Sequence, residues 1–164
     1  MTLLIVSLGS NVDASCNIGN AIESLREKFG NLTLSSVYES ESIGFSGDNF
    51  LNLVISAGTD MTLTEVDNYL KELENSLGRD RDQPKFSDRT IDIDILVFGA
   101  ERGEDCGLIL PRREIFENAF VLKPLAEIHP DLKNPDTGTS YFELWEKFDQ
   151  ASQKLWVVNL KFED

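Results

Sequence analysis

From Thr90 to Phe98 the chain reads Thr, Ile, Asp, Ile, Asp, Ile, Leu, Val, Phe, with Gly99 closing the run, and that alternation limits what the chain can fold into. A period of two is the period of a β-strand, so Asp92 and Asp94 share one side while the isoleucines share the other. The apolar side has to be covered by other elements of the chain. The acidic side cannot be buried without a compensating charge, because two carboxylates held side by side repel each other or take up a proton. A sheet with one well-packed face is therefore required, and its other face must do something unusual at this position.

Other segments supply that sheet. Thr2 to Leu8 is a short apolar run ending at Gly9, read as a first strand. Asn17 to Phe29 sets Ile18, Ala21, Ile22, Leu25 and Phe29 at helical spacing before Gly30, a C-cap residue. Leu32 to Tyr38 and Phe50 to Ala57 read as strands, and the polar stretch from Glu39 to Asn49 between them reads as a loop. Thr62 with Glu65 three residues later forms a capping-box pattern ahead of Leu63, Val66, Leu70, Leu73 and Leu77, an apolar stripe that stops at Gly78. Residues 79–88 are charged and contain a proline, so they read as a loop leading into the Asp92 strand. Phe120 to Ile128 and Tyr141 to Phe148 predict short helices, and Lys154 to Phe162 a closing strand. Strand, helix, strand, strand, helix, strand is the split βαβ order, so the fold class is α+β with a ferredoxin-like βαββαβ core and further elements after residue 100. No repeat or linker divides the 164 residues, and one domain over 1–164 is expected.

Charge narrows the function. With 29 acidic and 15 basic residues the net charge is −14, which repels nucleic acid and anionic membranes. No run approaches a membrane span or a signal peptide, and Cys16 and Cys106 have no CxxC spacing, so a cytoplasmic location is expected. The apolar helix stripes are accounted for by a core and no heptad is present, so a monomer is expected. Against the acidic background, Arg79, Arg81, Lys85 and Arg89 concentrate just ahead of the aspartate pair. On a strand the two aspartate Cβ atoms lie roughly 6 to 7 Å apart, which suits hard oxygen coordination of Mg²⁺ shared with substrate phosphates. Arginines beside such a pair suit phosphate, which they grip with two hydrogen bonds. A solvated strand face, with the arginines paired to Asp80, Asp82 and Asp88, is the plainer alternative.

Taken together these segments resemble the 6-hydroxymethyl-7,8-dihydropterin pyrophosphokinase family of folate biosynthesis over nearly the whole chain. The resemblance rests on Leu8, Gly9, Ser10 and Asn11; on Ser36, Val37, Tyr38 and Gly44; and on Phe50, Leu51 and Asn52. It continues through Glu74, Leu77, Gly78, Arg79, Asp80 and Arg81, through Arg89 to Leu96, and through Pro111, Phe120, Val121, Leu122, Pro124 and Leu125. It implies a pterin ring between Phe50 and Phe120, with Asn52 on its polar edge and Gly44 nearby, and two Mg²⁺ ions on Asp92 and Asp94. It also implies ATP held by Glu74, Arg81, Phe86, Arg89 and Arg112, with Arg81, Arg89, Asp92 and Asp94 as the catalytic set. Loops 39–49 and 79–89 would close over the site. For Glu74 a plain helix-surface glutamate is the competing reading. The implied reaction is in-line attack of the pterin hydroxymethyl oxygen on the β-phosphorus of ATP, releasing AMP.

The chain also departs from the family pattern. Arg112 stands where a His is usual after Pro111, Arg113 and Asn118 follow where an aromatic and an Arg are frequent, and Phe86 replaces a common Trp. Arg112 can still donate to phosphate and is always charged. His129, the one histidine, reads as structural at a helix end. Two other readings remain open on sequence: a diverged relative with altered nucleotide or acceptor, and a ferredoxin-like binding module whose aspartates hold only a structural cation.

Overall fold

A computed structural model describes residues 1–40, 49–78, 91–160 and 162. In chain order these residues form β1 (Thr2–Ser10), α1 (Ala14–Phe29), β2 (Thr33–Leu34), β3 (Val37–Ser40), β4 (Phe50–Thr59), α2 (Leu63–Ser76) and β5 (Asp92–Phe98). After them come β6 (Gly103–Asp105), β7 (Leu108–Leu110), α3 (Glu114–Glu117), α4 (Ala119–Ile128), α5 (Tyr141–Lys147) and β8 (Leu155–Val158). The main sheet runs β5-β1-β4-β3-β8, with β2 also paired to β4, and its pairings are antiparallel. With β2 and β3 counted as two halves of one strand, this is the ferredoxin-like order, extended at one edge by β8.

The sheet separates two cores. On one face Leu4, Val6 and Leu8 of β1, Leu53 and Ile55 of β4 and Ile93 and Ile95 of β5 meet Ile18, Ile22 and Leu25 of α1 and Val66, Leu70 and Leu73 of α2. Both helices bury their sequence-predicted stripes here, and burial of this much apolar surface is the main stabilising term. Thr62 Oγ accepts from the Glu65 N–H at 3.2 Å and the Glu65 carboxylate accepts from the Thr62 N–H at 2.9 Å, the expected capping box. Those bonds hold the Glu65 carboxyl below its ordinary pKa. On the other face Ile5, Val54, Leu96 and Val97 pack against Ile115, Val121, Leu122, Leu125 and Tyr141 from α3, α4 and α5.

Strand β5 carries one irregularity. The β1–β5 register shifts between Ile5 and Val6, so that Leu96 and Val97 both face the α4 side, as a β-bulge requires. The Leu96 carbonyl accepts the Arg112 N–H at 2.9 Å.

Several boundaries differ from expectation, each for a local reason. The strand expected over 32–38 is broken at Ser35, whose Oγ accepts the Val54 N–H at 2.9 Å in place of a backbone carbonyl. Glu39 and Ser40, expected in a loop, belong to β3; Ser40 is buried because its hydroxyl accepts from Asn52. Residues 41–48 of that loop lie outside the described residues. Helix α1 begins three residues before Asn17, since its first turn, Ala14 to Asn17, carries no apolar periodicity to announce it. The closing strand stops at Val158 instead of reaching Phe162. The β6–β7 hairpin was not expected: its strands are three residues each, and its turn is Cys106-Gly107 with φ of 52° and 80°. Two positive φ values in succession are the geometry of tight hairpin turns, usually signalled by Asn-Gly.

Candidate active site

The site lies where the α4 face of the sheet passes its helical cover. Across the sheet Asp92 pairs with Gly9, Gly9 with Asn52 and Asn52 with Tyr38, while one step along Asp94 pairs with Ser7 and Ser7 with Val54. Residues paired in register project to the same side. Because Val54 faces α4 and Ile93 and Ile95 face the α1/α2 core, Asp92, Asp94 and Asn52 all project to the α4 side. The sequence-predicted comb is therefore present: Ile91, Ile93 and Ile95 are 0, 5 and 4 % exposed, whereas both aspartates are half-buried.

Gly9 makes room between the carboxylates and Asn52. A Cβ at this position would stand 3.0 Å from Asn52 Oδ1, so any side chain would push the amide aside. Asn52 is itself buried, its Nδ2 donating to Ser40 Oγ at 2.9 Å, which fixes the direction of the amide. With strands about 4.8 Å apart, the Asp92 and Asn52 backbones stand roughly 10 Å from one another across this gap. Phe50 lies two residues before Asn52 on the same side of β4, half-buried. Phe120 opens α4 and packs partly buried against the core on that face.

A hydrogen-bonded clamp that the sequence did not announce holds α4 over the sheet. Glu127 accepts from Tyr38 Oη at 2.7 Å on one carboxylate oxygen, and from the Ser36 N–H at 3.0 Å and Ser36 Oγ at 2.7 Å on the other. Lys123 Nζ sits 5.4 Å from the centre of the Tyr38 ring. Burial and then the neighbouring Glu127 raise the Tyr38 hydroxyl far above its ordinary pKa. Ser36 and Tyr38 were visible as markers of resemblance, but their partner is 89 or more residues away, and only a lone glutamate in an apolar helix hinted at it.

Arg112 reaches the same face. With its backbone pinned to the β5 bulge, its guanidinium stands 3.6 Å from Asp94 Oδ1, and its Nε is paired with the Glu114 carboxylate. The Arg112 and Asp94 side chains are 33 and 41 % exposed, so the pair is open to solvent and to ligands. Glu74 behaves differently from a surface glutamate, the competing reading on sequence. It is 4 % exposed, and its carboxylate accepts the Ile93 N–H at 2.8 Å, occupying the open edge of β5 between the two aspartates. Gly44, Arg79, Arg81, Lys85, Phe86 and Arg89 lie outside the described residues.

Two half-exposed carboxylates on one face fit Mg²⁺ of the kind held by one or two carboxylates, water and substrate phosphates. Among the described residues no third His, Cys, Asp or Glu joins them. Among the described residues, Arg112 is a cation beside Asp94. A separate open cleft of about 380 Å³, lined by Met1, Lys28, Phe29, Asp60 and Glu65, lies at the other end of β1. Eight residues of strand rise, roughly 26 Å, separate it from the aspartates.

Fold and site together define an α+β domain of ferredoxin-like topology whose open sheet face carries paired carboxylates beside an arginine. The chain belongs to the 7,8-dihydro-6-hydroxymethylpterin-pyrophosphokinase (HPPK) family, whose model matches residues 5–130. It is 31 % identical over 155 residues to the 2-amino-4-hydroxy-6-hydroxymethyldihydropteridine pyrophosphokinase of Bacillus subtilis, covering 92 % of this chain and 88 % of that one. The enzyme of the same name from Aquifex aeolicus is 36 % identical over 137 residues, 82 % of this chain and 85 % of that one. Among solved structures, an HPPK-DHPS crystallised with substrates superposes with a TM-score of 0.72 at 12 % identity, over 92 % of this chain. This chain spans 44 % of that one, and the likeness concerns the fold.

Proposed function

We infer that this chain transfers a pyrophosphoryl group from ATP to 6-hydroxymethyl-7,8-dihydropterin, the reaction of the family to which it belongs. The observation that carries the assignment into this molecule is the row Asp92, Gly9, Asn52, which sets a carboxylate and a fixed amide on either side of a side-chain-free gap. A flat heterocycle needs such a gap, with hydrogen-bond partners at its edge.

In this reading the buried Asn52 amide orients the pterin, and Phe50 and Phe120 stack on its two faces. The pterin hydroxymethyl oxygen attacks the β-phosphorus of ATP; the new P–O bond forms as the bond from β-phosphorus to the oxygen bridging the α-phosphorus breaks. AMP leaves with that oxygen, and the hydroxyl proton is released. Asp92 and Asp94 would hold Mg²⁺, two ions in the family's pattern, which supply positive charge to the phosphate oxygens as the transferring group becomes more negative. Arg112 offers a further fixed positive charge to the phosphates, and Arg81 and Arg89 are assigned the same task. Glu74 holds β5 between the two aspartates and thereby sets where they project; Phe86 and Gly44 are assigned to the nucleotide and pterin sides respectively.

Incubation with ATP, Mg²⁺ and the reduced pterin alcohol tests the reading. AMP and the pterin diphosphate should appear in equal amounts; ADP as the nucleotide product, or no AMP, would reject it.

A further inference from the structure

Among the described residues Arg112 stands beside Asp94, and the way it is held is informative. At 3.6 Å the contact is longer than the roughly 2.7 to 2.9 Å of a charge-assisted hydrogen bond, so Arg112 acts on Asp94 as a counter-ion and not as a directional donor. Its backbone, by contrast, is fixed: the Arg112 N–H donates to the Leu96 carbonyl at 2.9 Å, at the bulge two residues beyond Asp94 on the same strand. On its other side the guanidinium Nε is paired with Glu114 at the start of α3. The side chain is thus tethered at its root, loosely paired at its tip, and a third exposed.

We propose that Arg112 is an exchangeable counter-ion: in the ligand-free protein it neutralises Asp94, and on ligand binding it gives up that carboxylate to a divalent cation and turns to the nucleotide phosphates. The proposal rests on the assignment of Asp94 as a metal ligand. The physics runs in two directions. An arginine about 4 Å from a carboxylate competes with any cation for it, so Arg112 weakens metal binding to the empty site while preventing repulsion within the aspartate pair. A phosphate that draws the guanidinium away removes its competition for the carboxylate, and reciprocity then requires that nucleotide and metal each favour the other's binding. A neutral imidazole at this position would not compete in the same way, so the Arg at 112 makes the empty site more selective for the metal–nucleotide pair over either ligand alone.

The test is Mn²⁺ binding to the full-length, ligand-free protein, followed by electron paramagnetic resonance, with Asp94→Asn as the reference for ions held elsewhere on the acidic surface. Arg112→Gln should bind the Asp94-dependent ion about tenfold more tightly than wild type, Arg112→Lys should stay near wild type, and in Arg112→Gln/Asp94→Asn the gain should vanish. In the absence of metal, α,β-methylene-ATP should bind Arg112→Gln several-fold more weakly. Thermal melts confirm that each variant is folded. If Asp94→Asn removes an ion but Arg112→Gln binds it no more tightly than wild type, the exchange is overturned while the metal site stands. If no variant binds an Asp94-dependent ion, both fall.

Discussion

The two faces of the central sheet are built from the same three strands yet obey different rules. Toward α1 and α2, Leu4, Val6 and Leu8 of β1, Leu53 and Ile55 of β4 and Ile93 and Ile95 of β5 are aliphatic and closed off from water. Toward α4 the same strands carry aliphatic residues, Ile5, Val54 and Leu96, at one end and Ser7, Gly9, Asn52, Asp94 and Asp92 at the other. The first face stabilises the fold, and its neighbour one residue away is free to hold charge and empty space because the first face is so complete. Two adjacent side chains of β5, Asp94 and Ile95, should therefore report on different properties when changed.

The sharpest contrast is at those two positions. Asp94→Ala is expected to lower kcat by about two to three orders of magnitude, because it removes a carboxylate that would hold the cation offsetting the developing negative charge, while leaving the melting temperature close to wild type. Retained turnover would break the division between the faces. Ile95→Ala should do the reverse, costing about 2 to 5 kcal/mol of stability by leaving a cavity against α1 and α2, measured by urea unfolding, with the folded enzyme keeping its kcat. Gly9→Ala probes the gap itself. With the new methyl 3.0 Å from Asn52 Oδ1, the amide must shift, and KM for the pterin should rise roughly tenfold with little change in KM for ATP; a rise in the ATP constant alone would place the pterin elsewhere.

The smallest effect belongs to His129, at the C-terminal end of α4. Burial lowers the His129 pKa, and its Nε2 is enclosed without a hydrogen-bond partner among the described residues. The neutral ring is thus the folded form. The stability it contributes is complete above the ordinary histidine value of about 6.5 and declines as pH falls through that value toward the lower folded one. A melt at pH 5.5 should sit lower relative to pH 7.5 in wild type than in His129→Gln, and equal differences would show that the ring protonates without consequence.

How much of this was legible in the sequence depends on the range of the interaction that fixes each residue. The comb at Asp92 and Asp94, the stripe and capping box of α2, and the apolar face of α1 follow from neighbours two to four residues away, and they stand where periodicity put them. For Glu74, read by resemblance as a nucleotide-side residue with a helix-surface glutamate as the competing reading, the sequence could not show its bond to a strand N–H 19 residues on, in another element. Arg112 was recognisable as a phosphate candidate, but its approach to Asp94 depends on a bulge at Leu96 that no local pattern marks. The β6–β7 hairpin escaped because three-residue strands carry too little alternation, and Cys-Gly is an infrequent signal for its turn. Ser40 was read as loop because a polar residue is buried there only by virtue of Asn52 across the ladder.

Whether chemistry belongs to the Asp92 face can be asked with paramagnetic broadening of backbone amide signals by Mn²⁺ in the presence of α,β-methylene-ATP. Signals from Ser7 to Ser10 and from Asp92 to Asp94 should vanish first, those of α1 and of the cleft near Asp60 and Glu65 remaining sharp. Broadening centred on that cleft, with the β5 amides untouched, would contradict the placement of metal and nucleotide at the aspartate pair.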